Sequence, residues 1–200
     1  MKHLRLFIST LAVLAFAAAA SAEKLSLPEI SAYLNNMRTA QAEFTQINDD
    51  GSISTGEIFI SRPGRIRFDY NPPDDSLVLA ERGQVAVFDP KSNQRPQRFP
   101  LNKTPLNLIL ARTVDLGRAR MVVGHVSDGP TTTVIAQDPK HPEYGTIQLV
   151  FTGNPVELRQ WIVTDSSGQR TTMILGKLVL GGKFRRSLFD IDIEIAARGF

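Results

Sequence analysis

Apolar and polar residues alternate along most of this chain, the two-residue period of strands that are covered on one face. Runs with that period lie at 42–47, 53–62, 65–70, 76–80 and 85–89, separated by Asp-Asp-Gly, Pro-Gly, Asn-Pro-Pro-Asp-Asp and Glu-Arg-Gly-Gln. A shorter run at 95–99 and five more at 119–126, 131–137, 145–151, 158–164 and 170–180 continue the pattern. Two segments break it. Ser26 and Glu29 have the spacing of a capping box, Pro28 falls in the first turn, and Leu27, Ile30, Leu34 and Met37 follow at helical intervals, predicting one helix. Thr104-Pro105 predicts the start of a second, whose body Leu106–Leu110 is apolar on most sides. Short strands with a turn about every ten residues, and no strand–helix alternation, predict a mainly β fold. The expected architecture is a single antiparallel sheet, strongly curved or closed, with two helices against it.

The strand faces are more informative than the strand count. In 65–70, Ile66, Phe68 and Tyr70 share one face while Arg65, Arg67 and Asp69 share the other. In 58–62, the row Ile58, Ile60 is continued by Arg62, a cation at the end of an apolar row that needs partners wherever that row is buried.

The N-terminus stands apart from this pattern. Lys2 and Arg5 precede an apolar run over 6–20 interrupted only by Ser9 and Thr10, and Ala20-Ser21-Ala22 supplies a small-x-small cleavage pattern. Residues 1–22 are therefore expected to be a cleaved secretory signal peptide and 23–200 one domain; the alternative is an uncleaved anchor, for which the run is short. Without Lys2 and Arg5 the formal charge of +3 falls to +1, so basicity is no argument for a nucleic-acid partner. The chain has no cysteine, which removes disulfides, thiol nucleophiles, thiolate metal sites and the lipid attachment of a membrane-anchored lipoprotein.

Little catalytic chemistry remains. His125 and His141 lack partners at metal-ligand spacing, and Asp49-Asp50 and Asp74-Asp75 sit in turn-rich segments where aspartate bonds its own backbone. No nucleophile elbow or phosphate-binding glycine motif occurs, so no catalytic residue, metal or cofactor is expected. Basic stretches at 62–67, 95–103 and 183–186 are interleaved with Phe68, Phe99 and Phe184, superficially like a single-strand nucleic-acid groove. An export signal argues instead for solvated strand faces, or basic rims that meet acidic proteins or lipid headgroups.

Several motifs, taken in order, carry a resemblance. Phe44-Thr45-Gln46 after the first helix is followed by an unbroken block from Gly56 to Tyr70, GEIFISRPGRIRFDY. Thr104-Pro105-Leu106, Leu158-Arg159-Gln160-Trp161, Asp165 to Thr171 (DSSGQRT) and Leu188-Phe189-Asp190-Ile191 come after it. Together they resemble the LolA family of periplasmic outer-membrane lipoprotein carriers across the whole of 23–200. The resemblance implies a half-open antiparallel β-barrel of about eleven strands with a helical lid. It also implies a periplasmic chaperone, not an enzyme, that shelters the acyl chains of lipoproteins. Its implied partners are acylated lipoproteins, an inner-membrane lipoprotein-releasing ABC transporter and an outer-membrane lipoprotein acceptor, the carrier itself being a monomer. An arginine at the position of Arg62 is implied to hydrogen-bond the lid and lock it. Ile66 departs from the family, which often has phenylalanine there.

On this reading Ile30, Leu34 and Met37 of the first helix and Leu106, Ile109 and Leu110 of the second form the inner face of the lid. Ile58, Ile60, Ile66, Phe68, Tyr70 and Trp161 line the sheet side of an apolar chamber. A plain filled core has the same pattern. The alternatives are a carrier of another lipid (phospholipid or glycolipid) on the same fold, a periplasmic hydrolase with convergent carboxylates, and a structural adaptor.

Overall fold

The computed structural model describes residues 23–199 except 93 and 119, so the expected signal segment lies outside the described residues. In chain order the elements are α1 (Leu27–Asn36), β1 (Thr39–Ile47), β2 (Ile53–Ser61), β3 (Arg65–Tyr70), β4 (Leu77–Glu81), β5 (Gln84–Phe88), β6 (Gln97–Pro100) and α2 (Leu106–Leu110). They continue with β7 (Val122–Asp128), β8 (Thr131–Gln137), β9 (Thr146–Thr152), β10 (Glu157–Thr164), β11 (Arg170–Leu175), β12 (Val179–Leu180) and α3 (Ile191–Ala197). Single 3-10 turns precede α2, β9 and α3.

All twelve strands join one antiparallel sheet in the order β6-β5-β4-β3-β2-β1-β11-β10-β9-β8-β7, with β12 pairing β1 beside β11. The sheet curves without closing: among the described residues β6 and β7 end it as free edges. The expected strand at 170–180 is two pieces on one line, β11 opposite 44–47 and β12 opposite 40–41, interrupted at Gly176-Lys177-Leu178.

The α1 helix starts as its sequence predicts, with the Ser26 side chain and Glu29 capping each other reciprocally. The start of α2 differs from the expectation. Thr104 does not cap it; its hydroxyl turns back to donate to the Leu101 carbonyl at 2.8 Å, closing the preceding 3-10 turn.

One face of the sheet carries the main core. Ile58 and Ile60 of β2, Ile66 and Phe68 of β3, Val134 and Ala136 of β8 and Ile147, Leu149 and Phe151 of β9 are all buried there, together with Ile30, Leu34 and Met37 of α1 and Ile109 and Leu110 of α2. A smaller core lies on the opposite face, where Leu77, Leu79, Ala86 and Phe88 of β4 and β5 are covered by Ile191 and Ile195. Those two belong to α3, an element the alternation of the chain had not predicted. The helix is capped by Asp190, whose carboxylate accepts from the amides of Asp192 and Ile193. Arg67, on the same face of β3, donates to Glu194 at 2.7 Å, to Asp69 and to the Leu188 carbonyl, fastening α3 to the sheet.

Because Ile191 is buried in this second core, Ile191→Ala is expected to lower stability by about 2–3 kcal/mol. Urea unfolding should show a lower midpoint with unchanged slope.

Candidate functional site

The inner face of the sheet is the site to which the sequence pointed, and its lining can be built strand by strand. Alternation puts Ile58 and Ile60 inward from β2 and Ile66, Phe68 and Tyr70 inward from β3, and Arg62, the residue just past the end of β2, is buried beside the end of α2. Gly56 of β2 pairs with Tyr70 where only a glycine fits, since a Cβ there would meet the Asp69 carbonyl and the Phe44 ring. Phe44 fills the space this leaves: its ring makes edge contacts with Tyr70 at 5.1 Å and Phe68 at 5.8 Å, and Phe68 in turn meets Trp161 at 6.3 Å. The Tyr70 hydroxyl donates to the Gln46 amide oxygen at 2.6 Å, and burial pushes its pKa well above the usual tyrosine range.

Of the residues predicted to line the sheet side, Ile58, Ile60, Ile66, Phe68 and Trp161 are buried here, and Tyr70 is half-buried against them. Ile30, Leu34, Met37, Ile109 and Leu110 of the lid lie in the same core, with Leu106 at its margin. The structure adds a wall that the sequence reading had not named: Phe44 of β1, Ile147, Leu149 and Phe151 of β9, Leu158 of β10 and Met173 of β11. The strict alternation of Ile147, Leu149 and Phe151 was the available signal. Leu158 carried none, because it faces the same side as Trp161 only through a bulge between Leu158 and Gln160.

Polar contacts sit at the seams of the lid. At the end of α2, whose last carbonyls have no helical partner, the Gly64 amide donates to the Leu110 carbonyl at 2.9 Å and Arg62 Nη2 donates to the Ala111 carbonyl at 2.6 Å. Gly64 makes this reach from a turn with φ +72°, a conformation that suits glycine. Arg62 is only 7% exposed, and its Nε and Nη1 meet no acceptor among the described residues. Burial, and then the nearby charge of Arg38, lowers its pKa from the ordinary arginine value.

A second seam joins α1 to the segment that follows α2. The Asn35 side chain both donates to the Val114 carbonyl at 2.8 Å and accepts from the Val114 amide at 2.9 Å, and the Leu116 amide donates to Ser31 at 3.0 Å. The approach to α1 is fixed by His125, whose Nε2 lies 2.9 Å from the Leu25 carbonyl, and by the Leu25 amide donating to Thr132. His125 thus has a backbone partner in the fold. Beside α2, an apolar groove of about 720 Å³ runs past Phe99, Leu106, Tyr144 and Val163.

The residues that suggested a nucleic-acid groove are dispersed. Phe68 is in the inner core, while Phe184 packs between Phe59 and Phe189. Among the described residues there is no group of three or more histidines and carboxylates able to hold a metal, and no helix long and apolar enough to cross a membrane.

A long curved sheet that stays open, with short apolar helices tied across its concave face by backbone-directed polar contacts, defines a lidded half-barrel. The family model described as outer membrane lipoprotein carrier protein LolA matches residues 35–192, and the chain belongs to that family. It is similar to the outer-membrane lipoprotein carrier protein of Coxiella burnetii strain CbuK_Q154, 24% identical over 95% of this chain and 94% of that one. It is also similar to the protein of the same name from Chromohalobacter salexigens, 26% identical over 93% and 91% of the two chains. A solved structure of a putative outer membrane lipoprotein-sorting protein domain from Vibrio parahaemolyticus aligns over 85% of this chain and 97% of that chain at 10% identity, with a TM-score of 0.49.

The Asn35 clasp has a local consequence. Asn35→Leu should leave both backbone groups of Val114 without their partner, at a cost of about 1–3 kcal/mol, and raise the hydrogen-exchange rate of the Val114 amide by tenfold or more.

Proposed function

We propose that this protein carries lipoproteins across the periplasm by enclosing their acyl chains between the curved sheet and its lid. One observation carries the reading: the concave apolar face is covered by two short helices held at polar seams, and not by further strands. Ile30, Leu34, Met37, Ile109 and Leu110 occupy the space facing Ile58, Ile60, Ile66, Phe68 and Trp161. An acyl chain offers the same kind of surface, so cargo and lid exchange for one another on the sheet. Exposed chains cost about 0.8 kcal/mol per CH₂ in water, which is the barrier a carrier removes. Because the lid's own side chains are returned to the sheet when cargo leaves, release needs no chemical step and no catalytic group. The curated relatives' name, and the family to which the chain belongs, support lipoproteins over phospholipids or glycolipids as cargo.

In this reading residues 1–22 are the cleaved export signal and residues 23–200 are the carrier, working as a monomer. It receives cargo from an inner-membrane lipoprotein-releasing ABC transporter and passes it to an outer-membrane acceptor. Arg62 locks the lid through the Ala111 carbonyl.

Native mass spectrometry after incubation with inner-membrane vesicles holding acylated and non-acylated forms of one lipoprotein tests this. A one-to-one complex with the acylated form alone is expected. Retention of phospholipid or glycolipid without lipoprotein would make it a carrier of another lipid, and an empty protein in both cases would leave a filled core. Arg62→Leu should reduce delivery of bound lipoprotein to acceptor membranes about tenfold or more, the worth of a charge-assisted hydrogen bond at the seam. Its urea midpoint should not fall, because the substitution also removes a cation that is costly to bury. Unchanged delivery would remove Arg62 from lid control.

A further inference from the structure

The contact with Ala111 uses only a fraction of what Arg62 offers. A guanidinium has five N–H donors. Here Nη2 reaches one carbonyl, while Nε and Nη1, with three N–H groups between them, are shut away from solvent without an acceptor among the described residues. Buried donors are nearly always satisfied, and leaving charged ones without partners is expensive. Arg38 adds a second cation nearby and supplies no acceptor side chain. These donors are therefore ready for an oxygen that arrives from elsewhere.

Their position says what kind of oxygen. Arg62 follows the last residue of β2, past the inward-facing Ile58 and Ile60, so hydrocarbon gives way to a buried cation at the end of that strand. A chain laid along this strand with its hydrocarbon against Ile58 and Ile60 brings its polar end to Arg62, at the seam beneath the end of α2. We propose that Nε and Nη1 of Arg62 bind the ester carbonyl oxygens that join the acyl chains to the lipoprotein's glyceryl anchor. This rests on the carrier reading and deepens it: Arg62 is then a ligand-binding residue as well as a lid contact. Seating the cargo ester beside the Ala111 carbonyl lets one guanidinium hold lid and cargo in turn. Phosphate is the less suitable acceptor. A site enclosed on all sides would have to strip a phosphate of its water, whereas a neutral ester carbonyl has little hydration to lose.

Trp161 is the sole tryptophan of the chain and stands in the chamber, so its fluorescence reports occupancy. The probes are a lipopeptide with two ester-linked chains, its dialkyl-ether twin with the same chains, and a dialkyl-ether phospholipid. Each is titrated against the wild type and Arg62→Leu. The ratio of ester to ether lipopeptide affinity should be about tenfold higher in the wild type than in the variant. A purely structural lid contact would change both affinities together and leave that ratio unmoved, which would overturn ester recognition while the carrier reading stands. Tight, Arg62-dependent binding of the ether phospholipid would overturn it in favour of phosphate. Binding of no probe would overturn the carrier reading along with it. If Arg62→Leu does not fold, the wild type decides with a lipopeptide labelled with ¹³C at the ester carbonyls. A carbonyl stretch lowered from its value in alkane supports the contact, and an unshifted one overturns it.

Discussion

The whole architecture depends on one unmet demand: a sheet that curves but does not close has an apolar concave face that something must cover. Here α1 and α2 cover it with side chains that are buried as completely as those of any core. Each such side chain is worth about 1.5–3 kcal/mol when buried, so the lid cannot simply swing into water. In the proposed carriage, cargo must supply an equivalent apolar surface as the lid leaves, so that affinity would be the difference between two large quantities.

Directional contacts are confined to the edges of the lid. Arg62 and Gly64 take the carbonyls at the end of α2, Asn35 clasps the backbone of Val114, Ser31 receives Leu116, and His125 meets the Leu25 carbonyl. Nearly all these contacts address backbone, and at the α1 seam it is the lid's own Asn35 and Ser31 that supply the side chains. Hydrogen bonds of this kind add about 1 kcal/mol each, enough to select one geometry of the helices on the sheet. Arg62 differs from the rest because its charge is buried, and a buried charge with spare donors is a strong constraint on what may lie beside it.

The second core holds the wall of the main core from behind. Leu77, Leu79, Ala86 and Phe88 are held from behind by α3, and Arg67 ties that helix to β3 directly behind the inward-facing Ile66 and Phe68. Strands β3 to β5 are thereby packed on both sides, and β6 beyond them, at the free edge, has all four residues exposed.

The strand periods, the capping box at Ser26 and Glu29, the apolar stripe of α1 and the oddity of a cation after Ile58 and Ile60 were legible in the chain, because each depends on residues close in sequence. The ordered motifs from Phe44 to Ile191 were enough to indicate the family. The third helix was not legible: 191–195 alternates apolar and acidic residues like a strand, and a seven-residue helix, even capped by Asp190, is marginal until it packs on a distant patch of β4 and β5. Leu158 and Trp161 share a face only because β10 bulges against β9, and the Asn35 clasp exists only because the end of α1 comes to lie beside Val114. By itself, then, the sequence determined a curved sheet with two apolar helices and one misplaced arginine. The tertiary structure decided which surfaces cover the concave face and left three N–H groups of Arg62 unmatched among the described residues, since both follow from contacts between segments that the chain alone does not bring together.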